Sequence, residues 1–224
     1  MKTIGILGGM GPEASAYAYL EIIRFCQTEY GARKDSDFPS IVLYNLPAPD
    51  VVESNFNKFE VLDSLDFGIS VLKRAGADFS FIACNSMDSF IPKLREKMDL
   101  LSLVEETVKE AKNKGFKTLG LLATETTIFS GRYQEYTKKF GMEILLPDRQ
   151  DQITIAIRGI LTGEKQVPNS ILSDVLRNLE SKGADAAILG CTDLPLAINQ
   201  SESNLPLLDS VGITSRAAVK KYYE

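Results

Sequence analysis

Gly76-Ala77-Asp78-Phe79-Ser80-Phe81-Ile82-Ala83-Cys84 recurs in a closely similar form 107 residues later, as Gly183-Ala184-Asp185-Ala186-Ala187-Ile188-Leu189-Gly190-Cys191. Both copies place an apolar run between a Gly-Ala-Asp turn and a cysteine. The same offset brings Val104 onto a second valine and Thr107 onto a second threonine. Because one register aligns the turn, the cysteine and a distant Val-x-x-Thr pattern, we interpret the chain as two copies of one unit of roughly 110 residues.

The repeated unit alternates short apolar runs with helical patterns. Strands are predicted at residues 3–7, 41–44, 79–83, 100–103, 119–122, 143–145, 186–190 and 205–208. Helices are predicted at residues 13–30, 57–75, 105–114, 128–140, 150–161, 169–182 and 210–222. Most of the apolar runs show no alternation of apolar and polar residues, which is typical of strands that are buried on both faces. Gly76, Gly115, Gly141 and Gly183 stand where four of the helices should end.

This β-α-β-α order predicts an α/β protein with two pseudo-symmetric domains, each a mostly parallel sheet flanked by helices. We expect the N-terminal domain to comprise residues 1–103 plus 209–224, and the C-terminal domain to comprise residues 104–208. Ligands of such sheets bind beyond the carboxyl ends of the strands. If the two copies face each other across a pseudo-twofold axis, the active site is expected in the cleft between the two domains.

The composition narrows the range of functions. The 224 residues are 44% hydrophobic and carry a formal net charge of −5, so a core can form and no positive surface is offered to nucleic acid or to an anionic membrane. No apolar run approaches the roughly 20 residues of a membrane helix, and the N-terminus does not have the pattern of a signal peptide. The three cysteines are widely spaced and fit no disulfide framework, so we expect a cytoplasmic location.

The sequence contains no histidine, which excludes Ser-His-Asp, Cys-His and histidine–zinc mechanisms. Cys84 and Cys191 follow equivalent strands, so their thiols would face one cleft from opposite sides if the two copies face each other across a pseudo-twofold axis. Two opposed thiols can remove a proton from one face of a carbon and deliver a proton to the other face. We expect the helix after each cysteine to lower the thiol pKa toward neutrality. Burial in the core is the alternative for both cysteines, and it is our prediction for Cys26.

Two strand-to-helix segments are candidates for binding a carboxylate. Residues 8–14, Gly-Gly-Met-Gly-Pro-Glu-Ala, form a tight turn that would present backbone N–H groups. They also fit the loose dinucleotide pattern G-x-G-x-x-[GA], but the second strand ends at Asn45 without the acidic residue that this pattern requires. Thr124 and Thr127 follow the equivalent strand of the second copy, where they would face the same cleft or cap a helix. Residues 45–50 form a candidate lid that has two prolines and no arginine.

These motifs resemble those of the aspartate/glutamate racemase family, the cofactor-independent amino-acid racemases. The motifs are Gly8-Gly9-Met10-Gly11-Pro12, Cys84-Asn85-Ser86, Leu122-Ala123-Thr124-Glu125-Thr126-Thr127 and Gly190-Cys191-Thr192-Asp193, in family order over nearly the whole chain. The resemblance implies that the chain interconverts L- and D-aspartate, with glutamate as the second choice. It implies a Cys84/Cys191 acid–base pair, no cofactor and a homodimer.

The resemblance also indicates which residues bind the amino acid. The candidate substrate-binding residues are Met10, Asn45, Asn85, Ser86, Thr124, Thr127, Lys165 and Thr192. Lys165 lies in a loop where aspartate-using members often have a lysine that reaches the side-chain carboxylate, although a solvated charge is the alternative. The chain departs from the usual pattern at Ser86, where threonine is common, at Asp193, where glutamate is common, and at Asp88, where histidine is common. Asp88 is expected either to face solvent or to signal an altered substrate.

Other functions remain open at this point. Related enzymes isomerise maleate or decarboxylate arylmalonates, although decarboxylation needs just one thiol and therefore fits two cysteines less well. Racemisation with pyridoxal phosphate on one of the lysines is another possibility. A two-lobed α/β protein can also bind an amino acid and signal by closure, without catalysis.

Overall fold

The structure is a computed structural model that describes residues 2–52 and 54–224, so residues 1 and 53 of the predicted N-terminal domain lie outside it. All eight predicted strands are present, with ends that differ by at most two residues. The first sheet contains β1 (Thr3–Gly8), β2 (Ser40–Asn45), β3 (Phe79–Ile82) and β4 (Asp99–Leu101). The second sheet contains β5 (Thr118–Ala123), β6 (Glu143–Leu145), β7 (Ala186–Gly190) and β8 (Leu207–Asp209). The predicted α/β class is confirmed.

The two sheets have the same topology. Their strand orders are β2-β1-β3-β4 and β6-β5-β7-β8, and every pairing that the structure describes is parallel. The repeated Gly-Ala-Asp turn has the same role in both sheets. Oδ2 of Asp78 accepts a hydrogen bond from the Thr3 N–H at 2.6 Å, and Oδ2 of Asp185 accepts one from the Thr118 N–H at 2.9 Å. Each aspartate therefore ties the start of one strand to the start of its neighbour.

Nine α-helices of the described residues cover the sheets. They are α1 (Pro12–Glu29), α2 (Lys58–Arg74), α3 (Ile91–Leu94), α4 (Leu103–Asn113), α5 (Glu125–Phe129), α6 (Arg132–Lys139), α7 (Gln150–Leu161), α8 (Gln166–Ser181) and α9 (Ser210–Tyr223). The prediction of one helix over residues 128–140 is wrong, because the chain breaks between α5 and α6 at Gly131, which has a φ of 69°. The sequence also failed to predict α3 and the 3-10 segment Asn85–Phe90 before it.

Both faces of each sheet are buried, which explains why the strands lack alternation. Ile4 and Ile6 of β1 pack into the cluster that contains α1, whereas Leu7 packs into the cluster on the opposite face, with α2. The second sheet is covered in the same way on its two faces. In the part of the chain that the structure describes, no helix has the length and apolar character needed to cross a membrane.

Helices α4 and α9 carry the chain between the two halves. Val104 and Val108 of α4 pack against the second sheet, whereas Val211 and Val219 of α9 pack against the first sheet. Such packing fits a division in which residues 209–224 return to the N-terminal domain. The boundaries given above stay a prediction.

Candidate active site

A cavity of about 160 Å³ lies between the two halves, at the carboxyl ends of the central strands. Residues from both halves line it: Gly9, Met10, Gly11, Pro12, Ala48, Pro49, Asp50, Val51, Val52, Cys84, Asn85, Ser86, Thr124, Leu161, Cys191, Thr192 and Asp193. Cys84 comes from the first half and Cys191 from the second. The topology thus brings the two repeated cysteines to one cavity, whereas Cys26 lies in the apolar cluster around Ile4.

Both cysteines of the cavity are unpaired and buried, with relative exposures of 8% for Cys84 and 7% for Cys191. Burial raises the pKa of the Cys84 thiol to about 11, although the N–H of Ser86 favours the thiolate. Burial, followed by the negative charge of Asp193, raises the pKa of the Cys191 thiol. The expectation that helix N-termini lower these pKa values is wrong, because loss of water around the sulfurs outweighs the few N–H groups of the short turns that follow.

Asp193 is a site residue that sequence reasoning did not assign. Its side chain lies in the lining, and its Oδ2 atom is 3.6 Å from Sγ of Cys191. Burial raises the pKa of the Asp193 carboxyl to about 6. A Cβ atom on Gly11 would lie 2.8 Å from Oδ1 of Asp193, so the glycine loop needs a glycine where it approaches this carboxylate. The sequence signals were its position directly after Cys191-Thr192 and its place in the Gly190-Cys191-Thr192-Asp193 motif.

Three hydroxyl groups from the two halves form a cluster beside Cys84. Oγ of Ser86 lies 2.9 Å from Oγ1 of Thr124 and 3.2 Å from Oγ1 of Thr127. Thr124 also caps α5 by accepting a hydrogen bond from the Thr127 N–H at 3.1 Å. Ser86 and Thr124 line the cavity, whereas Thr127 is buried beside them and is not part of the lining.

Asn85 is fixed by two hydrogen bonds, one of which comes from Tyr133 of the second half. Its Oδ1 atom accepts from the hydroxyl of Tyr133 at 2.8 Å, and its Nδ2 donates to Oγ of Ser210 at 2.9 Å. The hydroxyl of Ser210 in turn donates to the carbonyl of Leu189 at 2.9 Å. These contacts hold the residue after Cys84 in one orientation at the cavity wall.

The glycine loop wraps tightly around the end of β2. Gly9 has a φ of 99°, and a Cβ atom there would lie 2.2 Å from the carbonyl oxygen of Leu46. Its N–H donates to Oγ of Ser15 at 2.8 Å, so it is already engaged and does not point at a ligand. Met10 lies in the lining as expected, next to Gly11.

Lys165 and Asn45 are predicted site residues that the structure places outside the lining. Nζ of Lys165 lies 2.5 Å from Oε1 of Glu13, next to Pro12 of the lining. Asn45 is exposed at the end of β2, where it pairs with Gly8. The structure therefore brings neither side chain to the cavity wall.

Asp88 lies neither in the lining nor at the surface. It is 3% exposed, accepts a short hydrogen bond from the Ser102 hydroxyl, and lies with Oδ2 3.1 Å from Nε of Arg132. Of the two alternatives for Asp88, exposure to solvent is wrong, because the partly buried Arg132 of the second half provides a counter-ion. Asp88 does not supply a charge to the cavity wall.

Arg158 was missed by sequence reasoning. Its Nη1 atom lies 2.5 Å from Oδ2 of Asp50, and Oδ1 of Asp50 accepts from the Val52 N–H at 2.9 Å. Burial alone would raise the pKa of the Asp50 carboxyl. The Val52 N–H and Arg158 outweigh this effect, so the pKa is lowered. The ion pair joins the candidate lid to α7 of the opposite half. No local pattern marks it, because the two residues lie 108 positions apart.

A duplicated parallel α/β fold that brings one thiol from each half to a shared cavity is the arrangement that the sequence resemblance predicts for an amino-acid racemase. The sequence model of the Asp/Glu/hydantoin racemase family matches residues 7–218, and the chain belongs to this family.

Individual relatives agree with this assignment. The chain is 31% identical over 226 residues to the broad specificity amino-acid racemase RacX of Bacillus subtilis (strain 168), covering 98% of this chain and 97% of that protein. It is similar in structure to an aspartate racemase of Picrophilus torridus, with a TM-score of 0.85, 28% identity, and coverage of 99% and 94% of the two chains. An aspartate racemase homologue of Pyrococcus horikoshii OT3, at 24% identity, shares the fold over 100% of both chains with a TM-score of 0.82.

Proposed function

We propose that the chain racemises a free α-amino acid without a cofactor, and that Cys84 and Cys191 exchange the α-proton. The observation that carries the proposal is that the two repeated cysteines line one cavity from opposite halves of the molecule. A planar intermediate has two faces, and inversion needs a proton donor and a proton acceptor on different faces. One thiol from each half meets that need.

The proposed reaction keeps protons and charge in balance. One cysteine, as thiolate, takes the α-proton and becomes a thiol, which leaves a carbanion at the α-carbon. The other cysteine, as thiol, delivers its proton to the opposite face and becomes a thiolate. The next turnover in the same direction requires proton exchange with solvent, and turnover of the other enantiomer runs in reverse. Ser86, Thr124 and Thr192 are the lining hydroxyls that would bind the α-carboxylate and stabilise the developing charge.

Only one of the two thiols has to be ionised. Burial raises the pKa of both, and each thiolate disfavours the other, so the two cysteines titrate as a pair. A bound α-ammonium group would favour the single thiolate by its positive charge.

The proposal also concerns which amino acid is the substrate. The sequence resemblance points to aspartate and then glutamate, and one similar structure is an aspartate racemase, whereas the relative RacX has a broad specificity. Lys165, which the resemblance places at the side-chain carboxylate, pairs with Glu13 in this structure. Homodimer formation and a cytoplasmic location stay predictions from the sequence.

The test is α-proton exchange in deuterated water. Purified protein is mixed with L-amino acids, and loss of the α-proton signal is followed by NMR while optical rotation is followed by polarimetry. We expect Cys84→Ala and Cys191→Ala each to lower the racemisation rate by at least about 100-fold. Cys26→Ala is the matched control, since Cys26 lies in the core and should leave turnover near the wild-type level. An active Cys84→Ala protein would refute the two-thiol mechanism.

A further inference from the structure

The wall of the cavity is apolar and acidic. Met10, Val52 and Leu161 are among its apolar residues, and Asp50 and Asp193 are its carboxylates. None of the described residues that line the cavity is a lysine or an arginine. The sequence from residue 35 to residue 57, which includes the candidate lid, also contains neither. A second carboxylate on a bound amino acid would therefore meet no cation in the wall.

Two cations of the described residues form ion pairs with carboxylates at or next to the cavity lining. Arg158 pairs with Asp50 at 2.5 Å, and Lys165 pairs with Glu13 at 2.5 Å. The two cations neutralise Asp50 and Glu13, which could otherwise attract a basic side chain of the substrate. Arg158 and Lys165 would also repel such a side chain by their positive charge. The mouth therefore favours neither an acidic nor a basic side chain.

Asp193 makes the interior of the cavity electronegative. Its carboxylate is buried in the lining, and its Oδ2 atom lies 3.6 Å from Sγ of Cys191. In the proposed reaction one cysteine also carries a negative charge. An α-ammonium group would find an unlike charge at Asp193, whereas a second carboxylate would find like charges. A zwitterion with an uncharged side chain suits this distribution best.

Resting on the proposed racemisation, we infer that the preferred substrate carries an uncharged, apolar side chain, as in methionine or leucine, and not a second carboxylate. Its α-carboxylate lies at the hydroxyls of Ser86, Thr124 and Thr192. Its α-ammonium faces Asp193. Its side chain contacts the apolar wall of Met10, Val52 and Leu161. This inference departs from the aspartate preference that the sequence resemblance implies.

The substrate test measures kcat/KM of the wild-type protein for L-methionine, L-leucine, L-aspartate, L-glutamate and L-lysine, by α-proton exchange. We expect methionine or leucine to exceed aspartate and glutamate by at least about tenfold. The inference is overturned if aspartate, glutamate or lysine is the best substrate, although racemisation itself would then stand. If the wild-type protein exchanges none of the five, the proposed function fails instead, so the two failures are distinguishable.

A pair of variants isolates the role of charge. Leu161 ends α7, is 42% exposed and lines the cavity, so a long polar side chain fits there without disturbing the core. Leu161→Lys adds a cation to the wall, and Leu161→Gln is its uncharged control. We expect the ratio of kcat/KM for aspartate to kcat/KM for methionine to be at least about tenfold higher in Leu161→Lys than in Leu161→Gln. Equal ratios in the two variants would contradict the electrostatic basis of the inference.

Discussion

Sγ of Cys191 and Oδ2 of Asp193 lie 3.6 Å apart within one buried cavity. The carboxylate raises the pKa of both thiols by its negative charge, after the larger effect of burial. Ser86 acts in the opposite sense, because its N–H and hydroxyl favour the thiolate of Cys84. The pKa values of the two thiols are therefore set by opposing neighbours that can be removed one at a time.

In a plot of kcat/KM against pH, Asp193→Asn should move the rising limb to lower pH. In the wild-type protein, kcat/KM should rise with pH as one thiol ionises, and the limb should extend well above neutrality because the pKa of Cys84 is about 11. Removing the negative charge of Asp193 lowers the pKa of the thiols, so the rising limb moves to lower pH. The position of the limb is measured from kcat/KM against pH, with thiolate ultraviolet absorbance as the direct check. A limb at an unchanged or higher pH would show that Asp193 does not act on the thiols.

Ser86→Ala should move the same limb to higher pH. The variant removes the hydroxyl that favours the Cys84 thiolate, although the backbone N–H remains. It also breaks the contacts with Thr124 and Thr127, so kcat should fall as well. Ser64→Ala is the control and should leave the profile unchanged, because the partly exposed Ser64 lies in α2 and its hydroxyl bonds only the Glu60 carbonyl of the same helix in the contacts described. A shift of the Ser86→Ala limb in the same direction as that of Asp193→Asn would contradict the assignment.

The duplicated fold was predictable because its signals are local. The Gly-Ala-Asp turn recurs since Asp78 and Asp185 have the same hydrogen-bonding role at the start of each sheet. The two cysteines were predictable for a related reason, since equivalent strands end at equivalent edges of their sheets. A repeated motif thus predicts both the architecture and the place where the chemistry lies.

The details of the cavity wall were less predictable. Whether Thr124 or Thr127 lines the cavity depends on how α5 turns after its cap, which the spacing of threonines does not define. Asp50 meets Arg158 only because two loops of different halves come together, 108 residues apart in sequence. Such pairs depend on tertiary packing, and an amphipathic pattern in α7 gives no sign of them.

Gly9→Ala should unfold or inactivate the protein, because a Cβ atom would lie 2.2 Å from the backbone oxygen of Leu46. Neither backbone can move far without displacing Met10 and the cavity wall. Gly31 is the matched control, since its φ of 70° is also positive but nothing lies within 4 Å of its Cβ position. Gly31→Ala should lower the free energy of unfolding by about 1 kcal/mol, from the left-handed backbone alone. Urea denaturation of both variants separates the steric clash from this backbone effect, and equal losses would contradict it.

The ion pair of Asp88 and Arg132 supplies a last prediction, in which stability depends on pH. Burial raises the pKa of the Asp88 carboxyl, although Ser102 and Arg132 oppose that shift. A carboxyl whose pKa is higher in the folded than in the unfolded protein destabilises the fold as pH rises through that pKa. Arg132 limits this loss by its positive charge.

Arg132→Met should therefore lower the free energy of unfolding by about 3 kcal/mol at pH 8, because a buried carboxylate loses its counter-ion. The loss should shrink as pH falls, since Asp88 then takes up a proton and no longer needs a cation. The double variant Asp88→Asn/Arg132→Met removes both charges and should recover most of the stability at pH 8, because an uncharged amide retains the hydrogen bond from Ser102. Urea denaturation at several pH values measures both effects. A loss in Arg132→Met that stays constant with pH, or a double variant no more stable than the single one, would mean that Arg132 stabilises the fold by packing and not by neutralising Asp88.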